Sequence, residues 1–349
     1  MKRFVFAVPG DLATPTGGYA YDRRMVAELL RLGWDVEVAD IGSEFPRPSA
    51  GARASARARL IAVPADTPIV VDGLAFGVLD ELAAELHRGH PLLALVHHPL
   101  ALESGIPPAE AEEFHRRERA ALAHTDRVIV TSPSTARRLA ADYAVAAERI
   151  TVALPGSEPR TPRRDGRNGP PALLAVGAVV RRKGYDVLVD ALASLRDLPW
   201  RMTIAGDRTR SPTTVAALEA QVRRHDLADR IEFAGAVDDA HLAALHAGAD
   251  LFVLPSRFEG YGMAFAEAIA HGLPVVGTTA GAIPDTVPDG AGILVPPDDA
   301  AALANALRRL IGDERARETL AAAARNAAAR LPTWRQSAEA FARAIEAVR

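Results

Sequence analysis

The hydrophobic positions of this chain form short continuous runs that alternate with longer amphipathic stretches. Continuous apolar runs are typical of strands buried on both faces, and the stretches between them have the length of helices. In the first part of the chain the predicted strands are Arg3–Val8, Asp35–Ala39, Pro68–Val71, Leu92–His97, Arg127–Thr131 and Ile150–Ala153. Predicted helices between them are Tyr19–Leu32, Pro108–His124 and Ser134–Tyr143. This alternation predicts a parallel sheet with helices on both sides.

The alternation stops at residues 154–171, a segment rich in Pro, Gly and Arg that we interpret as an interdomain linker. After it the pattern resumes with predicted strands at Ala172–Val176, Arg201–Ala205, Arg230–Ala234, Leu251–Leu254, Pro274–Gly277 and Gly292–Val295. Helices are predicted at Ala300–Ile311 and Asp313–Arg330, and a last one begins near Trp334. The sequence therefore predicts an α/β protein of two doubly wound, Rossmann-like domains, residues 1–156 and 157–332, that face a central cleft.

Composition narrows the function classes. The 349 residues carry a net charge of −3, which argues against a nucleic-acid binder. The absence of cysteine excludes disulfides, thiolate nucleophiles and Cys-ligated metals. No run of 18 apolar residues is present, and the apolar start is shorter than a signal-peptide core. We expect a soluble cytoplasmic protein and leave peripheral attachment to the inner membrane face open, as we do the oligomeric state.

Nearly all of the basic residues are arginine. Lys2 and Lys183 are the only lysines among 41 basic residues, so an interior lysine is a rare choice in this chain. Arginines also crowd the segment from Arg47 to Leu60. We interpret that segment as a solvated loop or short surface helix, with contact to an anionic acceptor or a lipid head group as the alternative.

Two glycine-containing segments follow predicted strands. Gly17-Gly18 comes directly before a helix predicted to start near Tyr19, where backbone N–H groups are open to an anion. A plain turn explains this pair equally well.

The second segment follows the strand ending at Leu254. It carries Glu259 and then Gly260, Tyr261 and Gly262. A helix is predicted to begin at Met263 and Ala264, and it contains Glu267. Open N–H groups at this helix start suit phosphate or sugar oxygens, and a carboxylate suits paired hydroxyls. For Glu267 alone, a solvated helix carboxylate is the alternative.

The second segment resembles the E-x7-E signature of retaining GT-B glycosyltransferases of family 4, with Glu259 and Glu267 as its two acids. The resemblance extends over nearly the whole chain. Its further matches are Gly17-Gly18, Val96-His97, Pro155-Gly156, Lys183-Gly184, Gly206-Asp207, Pro255-Ser256, the segment 272–276 and the loop from Gly281 to Asp285.

The resemblance implies a role for each matched residue. Glu267 would bind the ribose of the nucleotide, Glu259 a hydroxyl of the donor hexose, and the amides of residues 260–264 the sugar and phosphates. Lys183 and a nearby arginine would neutralise the diphosphate, which Gly18 would approach from the other domain. His97 would lie near the C6 hydroxyl of the donor. The resemblance also implies that residues 1–156 bind the acceptor and residues 157–332 the nucleotide sugar.

This chain departs from the family pattern at two places. The arginine that often follows the first glycine of the second domain is replaced by Ala178, so Arg181 or Arg182 must supply the second cation. We favour Arg182 because it is adjacent to Lys183. In the family the histidine is commonly followed by an acid or a small polar residue, whereas here His97 is followed by His98 and Pro99. Neighbouring residues at the end of a strand face opposite sides, so the two histidines are poor joint metal ligands. His98, the arginines of residues 47–59 and Glu103-Ser104 are candidate acceptor contacts.

The resemblance implies a metal-independent transfer of a hexose from a UDP- or GDP-sugar to a hydroxyl acceptor, with retention by front-face attack and no resident cofactor. The acceptor could be a small molecule, a glycan or a lipid-linked compound. A sugar-nucleotide epimerase or hydrolase of the same fold is the enzymatic alternative, and a non-catalytic nucleotide-sugar-binding protein is the other. The resemblance further implies that the last helix, residues 333–349, packs back on the first domain through Ala338, Phe341, Ala342 and Ile345. Packing on its own domain is the alternative.

Overall fold

The apolar runs form the parallel strands of two sheets, one in each unit of the chain. The computed structural model describes residues 2–14, 16–103, 105–158 and 169–349. Unit 1 comprises Met1–Gly156 and Pro332–Arg349, and unit 2 comprises Ser157–Leu331. Ser104 and most of the predicted linker lie outside the described residues.

Unit 1 contains a six-stranded parallel sheet in the order β2-β1-β3-β4-β5-β6. Its strands are β1 (Arg3–Val8), β2 (Asp35–Asp40), β3 (Ile69–Asp72), β4 (Leu92–Val96), β5 (Arg127–Val130) and β6 (Ile150–Val152). Its helices begin with α1 (Gly17–Arg31), α2 (Ala50–Ile61), α3 (Gly73–Phe76), α4 (Asp80–Leu86), α5 (Pro108–Leu122) and α6 (Pro133–Asp142). Since the strand order reverses between β1 and β3, the loops that follow these two strands diverge there and leave room for a ligand.

Unit 2 contains a second six-stranded parallel sheet, in the order β12-β11-β10-β7-β8-β9. Its strands are β7 (Ala172–Val176), β8 (Arg201–Ala205), β9 (Ile231–Gly235), β10 (Leu251–Val253), β11 (Val275–Thr278) and β12 (Gly292–Val295). Its helices are α7 (Tyr185–Ala193), α8 (Pro212–Arg224), α9 (Asp239–Gly248), α10 (Met263–Ala270), α11 (Ile283–Thr286), α12 (Ala300–Gly312) and α13 (Glu314–Ala328). The order reverses between β7 and β10, so the loops after these strands flank the switch point of this sheet.

The predicted strands agree with the observed ones to within about one residue at each end, because buried parallel strands give continuous apolar runs. Helix α1 begins at Gly17 rather than near Tyr19. The side chain of Thr16 accepts a hydrogen bond from the Tyr19 N–H and caps the helix, so both glycines lie in its first turn. The arginine-rich segment forms a helix, α2, rather than a loop.

The last helix, α14 (Trp334–Glu346), is part of unit 1. Thr333 and Gln336 form a capping box at its start. On its apolar face Phe341 is fully buried, and its ring lies 6.3 Å from the rings of both Phe4 and Phe6 on β1. None of the helices among the described residues has the length and apolar character needed to cross a membrane.

Candidate active site

The first group of predicted residues follows β7, at the switch point of the unit 2 sheet. The chain makes a short 3-10 turn over Arg181–Lys183 and then passes through Gly184, whose φ of +68° lies in the left-handed region. A Cβ on Gly184 would lie 2.0 Å from the Pro255 carbonyl oxygen, so only glycine lets this turn pack against the loop after β10. The turn that carries the two predicted cations is thereby held against the loop that carries Glu259.

Arg182 and Lys183 converge on Glu259. Lys183 Nζ donates to Glu259 Oε1 at 2.7 Å, and an Arg182 guanidinium nitrogen donates to Oε2 at 3.1 Å and to the Phe258 carbonyl at 2.9 Å. Ser256 Oγ donates to Oε1 at 2.6 Å. Burial alone would raise the pKa of Glu259, but the positive charges of Lys183 and Arg182 outweigh burial and lower it to about 2. Glu259 is therefore a largely buried carboxylate that is held by two fixed cations, Lys183 and Arg182.

Arg257 braces the same turn from the other side. Its backbone N–H donates to the Arg182 carbonyl at 2.8 Å, and its guanidinium donates to the Arg181 carbonyl at 2.6 Å. The guanidinium also pairs with Asp186 and Asp298. Because the Arg181 side chain is exposed while Arg182 is half-buried and bound to Glu259, the geometry favours Arg182 as the second cation.

The backbone of the Glu259 loop is fixed by the segment after β11. Ala282 N–H donates to the Glu259 carbonyl at 2.9 Å, and Thr278 Oγ1 donates to the Ser256 carbonyl at 2.6 Å. Gly281 has a φ of +58°, and a Cβ there would lie 2.3 Å from the Glu259 carbonyl oxygen. The predicted Gly281 loop thus makes direct contact with the loop of the first acid.

Helix α10 follows this loop. It begins at Met263 after Gly262, which has a φ of +93°, and no side chain among the described residues caps it. Tyr261 is buried, and its carbonyl accepts a hydrogen bond from Thr286. Glu267 lies half-buried in the second turn. The first-turn N–H groups of Met263 and Ala264 are therefore placed at the positive end of a helix, where anions bind favourably.

In unit 1 the structure brings Gly18 and His97 together. A Cβ on Gly18 would lie 3.4 Å from His97 Cδ2, whereas a Cβ on Gly17 would meet nothing within 4 Å. His97 follows β4, and its Nε2 lies 3.2 Å from Asp22 Oδ1 and 3.4 Å from Asp72 Oδ2. His98 has a different partner, with its Nε2 3.3 Å from Glu103 Oε2. The two histidines therefore have different side-chain partners among the described residues.

The arginine-rich segment is largely engaged within unit 1. Arg47 pairs with Glu110, Arg57 pairs with Glu85, and Arg53 donates to the Val78 carbonyl. These contacts favour the interpretation of α2 as a surface helix over that of a binding patch. Arg59 is exposed.

Sequence reasoning missed two polar residues that hold His97, Asp22 and Asp72. It named Ser256 as part of the family match but gave it no role, whereas its hydroxyl donates to Glu259. Asp72 and Ser256 had a weak signal, since each directly follows or closely follows an apolar strand at the edge where ligands bind. Asp22 lies in α1 without such a signal, and it is fully buried.

Comparison with known proteins covers both units. Residues 170–313 match the family described as "Glycosyl transferases group 1", and residues 42–160 match "Glycosyltransferase Family 4". A D-inositol 3-phosphate glycosyltransferase of Xylanimonas cellulosilytica is 31% identical over 72% of this chain and 65% of its own length. An MMP alpha-(1->4)-mannosyltransferase of Mycolicibacterium hassiacum is 28% identical over 84% of this chain and 74% of its own length. The chain spans slightly less than two thirds of the length of the first relative and about three quarters of the length of the second.

Solved structures give the same fold. Sucrose-phosphate synthase from Thermosynechococcus elongatus superposes with a TM-score of 0.83 at 23% identity, covering 98% of both chains. Anabaena Alr3699/HepE in complex with UDP-glucose superposes with a TM-score of 0.80 at 20% identity, covering 99% of this chain and 100% of that one. These likenesses, together with the two parallel sheets, confirm the predicted α/β GT-B fold class.

Proposed function

Because the chain belongs to the group 1 glycosyltransferases of family 4, we propose that it transfers a hexose from a nucleotide-diphosphate sugar to a hydroxyl acceptor. The observation that carries this proposal is the convergence of Lys183 and Arg182 on Glu259 at the switch point of the unit 2 sheet. Two cations and one carboxylate are the groups needed to bind a diphosphate beside a sugar hydroxyl.

The roles in the donor site follow the chemistry of each group. Lys183 and Arg182 bind the diphosphate, the N–H groups of residues 260–264 bind phosphate and sugar oxygens, and Glu267 binds the ribose hydroxyls. Glu259 accepts a hydrogen bond from a hexose hydroxyl. In unit 1, Gly18 leaves space for the donor and His97 binds a sugar oxygen.

The transfer step breaks the bond between the anomeric carbon and the phosphate oxygen and forms one to the acceptor oxygen. Negative charge gathers on the departing diphosphate, and Lys183 and Arg182 stabilise it without reorganisation because they are already fixed. The anomeric carbon becomes oxocarbenium-like. We propose attack from the leaving-group face, with the departing phosphate taking the acceptor proton, so that configuration is retained and no metal is required.

Donor choice is the first thing to measure. The Anabaena structure contains UDP-glucose, so a binding panel should begin with UDP-glucose and include GDP-mannose and the free nucleotides. Calorimetry should show micromolar to millimolar binding of one nucleotide family, and the preferred sugar nucleotide should release its nucleotide slowly by hydrolysis.

Three outcomes separate the alternatives. Binding without nucleotide release, even with a panel of acceptors, would indicate a non-catalytic nucleotide-sugar-binding protein. Release that no acceptor accelerates, or a changed sugar configuration in the recovered nucleotide, would indicate a hydrolase or epimerase. With a working acceptor, NMR of the product should show the anomeric configuration of the donor, and activity should survive EDTA.

A further inference from the structure

Three polar side chains meet at the carboxyl edge of the unit 1 sheet. Asp22 projects from α1, Asp72 ends β3, and His97 follows β4. Asp22 and Asp72 are 0% and 2% exposed. Burying two carboxylates this deeply is costly unless a positive charge and hydrogen bonds compensate them.

His97 is held by one edge of its ring. Its Nε2 lies within 3.4 Å of a carboxylate oxygen of both Asp22 and Asp72. The ring of Tyr21 packs edge-on against it with centroids 5.3 Å apart. Threonine hydroxyls at 131 and 135 donate to the His97 carbonyl, which fixes the backbone as well. Among the described residues, the contacts of the His97 ring nitrogens with Asp22 and Asp72 are both made by Nε2. The side chain is 21% exposed, so the edge of the ring that carries Nδ1 is the one available to a ligand.

The charges around the ring favour the imidazolium. Burial disfavours a charged ring, but Asp22 and Asp72 outweigh burial and raise the pKa of His97 above its usual range. Two further titratable groups near the ring lie on α1: Tyr21, which packs against it, and Arg23, whose charge acts on Asp22. His98 is next in the chain and pairs with Glu103. Asp72 is fixed separately, since its Oδ1 accepts the Leu74 N–H at the start of α3. Asp22 Oδ2 has no hydrogen-bond partner among the described residues, so its negative charge is offset mainly by the ring.

We propose that Asp22 and Asp72 are positioning residues that bind the Nε2–H of an imidazolium His97 and orient its Nδ1–H toward an oxygen of the substrate. This inference rests on the proposed function and adds the charge state of His97 to it. A charged donor forms a shorter and stronger hydrogen bond than a neutral one. An imidazolium has no lone pair, so His97 acts as a donor and not as the base that deprotonates the acceptor.

The wild-type protein gives the first test. Nitrogen-15 shifts of the His97 ring, assigned by comparison with His97→Gln, report its protonation directly. We expect both ring nitrogens to remain protonated from pH 6 to at least pH 8. A neutral His97 ring at pH 7 would overturn the proposal, and this result requires no variant of the buried aspartates and no turnover.

The second test uses Asp72→Asn, which keeps an oxygen at the same place but removes its charge. The His97 pKa should fall toward its usual value, because the charge of Asp72 is one of the two that raise it. Above that lowered pKa, kcat should fall by up to ~tenfold per pH unit while the wild-type profile stays flat. A purely structural role would lower kcat equally at every pH, and superimposable profiles for variant and wild type would contradict the proposal.

Asp190→Asn is the matched control, because Asp190 also lies beside a histidine, with His225 Nε2 at 3.1 Å, but on the surface of unit 2. It should leave the pH profile unchanged. A divalent cation is the competing occupant, because the three ligand atoms lie within 4.8 Å of one another. Stoichiometric Zn²⁺ binding that disappears in Asp72→Asn would make His97 a metal ligand and overturn the proposal. If no sugar nucleotide turns over while the ring shifts behave as expected, the proposed function fails and the charge assignment stands.

Discussion

Lys183 is the residue whose chemistry is hardest to replace. Its stem passes directly over Gly177, where a Cβ would lie 3.0 Å from Lys183 Cε, and its ammonium reaches Glu259. The chain uses arginine for nearly every other positive charge, so this lysine stands where a compact charge fits and a planar fork does not.

Lys183→Arg should therefore lower kcat/KM for the donor by at least about tenfold, although the charge is retained. Steady-state nucleotide release measures this. Lys2→Arg is the matched control, since Lys2 is the only other lysine and pairs with Glu346 on the surface. Equal rates for Lys183→Arg and wild type would show that the position needs only a positive charge.

Glu259 occupies the two cations before any donor does. A diphosphate must compete with this carboxylate for Lys183 and Arg182, so Glu259→Gln should bind free UDP or GDP as tightly as wild type or more tightly. Transfer should nevertheless fall, because the hexose loses its acceptor carboxylate. Calorimetry and turnover measured together check the split, with exposed Glu232→Gln as control. Nucleotide affinity that falls with turnover would argue against the competition.

The same carboxylate also links stability to pH. Because the folded-state pKa of Glu259 is lowered to about 2, its contribution is fully present above the ordinary glutamate pKa of about 4.3 and is lost as pH falls toward 2. The difference in Tm between wild type and Glu259→Gln should accordingly be constant above pH 5 and shrink toward pH 3. A difference that grows on acidification would contradict the ion-pair geometry.

At the scale of elements, the site depends on loops that follow neighbouring strands. Gly281, after β11, has a left-handed backbone and touches the Glu259 carbonyl. Alanine at position 281 would cost about 1–2 kcal/mol for its left-handed backbone conformation. Its Cβ would also lie 2.3 Å from the Glu259 carbonyl oxygen, so the Glu259 loop must shift.

Gly281→Ala should lower Tm by several degrees, at ~2–4 °C per kcal/mol for a domain of this size, and should reduce turnover by displacing Glu259. Differential scanning fluorimetry and the release assay measure the two effects. Gly312→Ala is the control, since a Cβ at Gly312 would meet nothing within 4 Å. Turnover in Gly281→Ala that matches the control would show that the Glu259 loop tolerates the shift.

Sequence patterns predicted the elements well and the side-chain contacts poorly, for physical reasons. Strand runs and a glycine before α10 are local signals, so the loop carrying Glu259 could be placed from the chain alone. The pairing of Lys183 with Glu259 joins residues 76 apart, and that of His97 with Asp22 joins residues 75 apart. Such distances depend on how the strands are ordered in the sheet, which periodicity does not contain.

At the scale of the whole chain, the two units have separate cores, and the last helix belongs to the first of them. One buried hydrophobic cluster packs on the β7–β12 sheet and another on the β1–β6 sheet. Helix α14 packs on unit 1 through Phe341, and Trp334 lies 5.9 Å from the Tyr21 ring that in turn packs on His97. The C-terminal residues of the chain therefore support the His97 side of unit 1.

Phe341→Ala should remove about 3–5 kcal/mol from unit 1, because the ring is fully buried against Phe4 and Phe6. Hydrogen exchange should accelerate in β1 and α1 and stay unchanged in β7. Phe252→Ala, an equally buried ring on β10 of unit 2, is the reciprocal control and should accelerate exchange in β7 while leaving β1 unchanged. Acceleration in both sheets by either variant would mean that the two cores do not respond separately. Acceleration confined to α14 itself would mean that the helix contributes little to the core on which it packs.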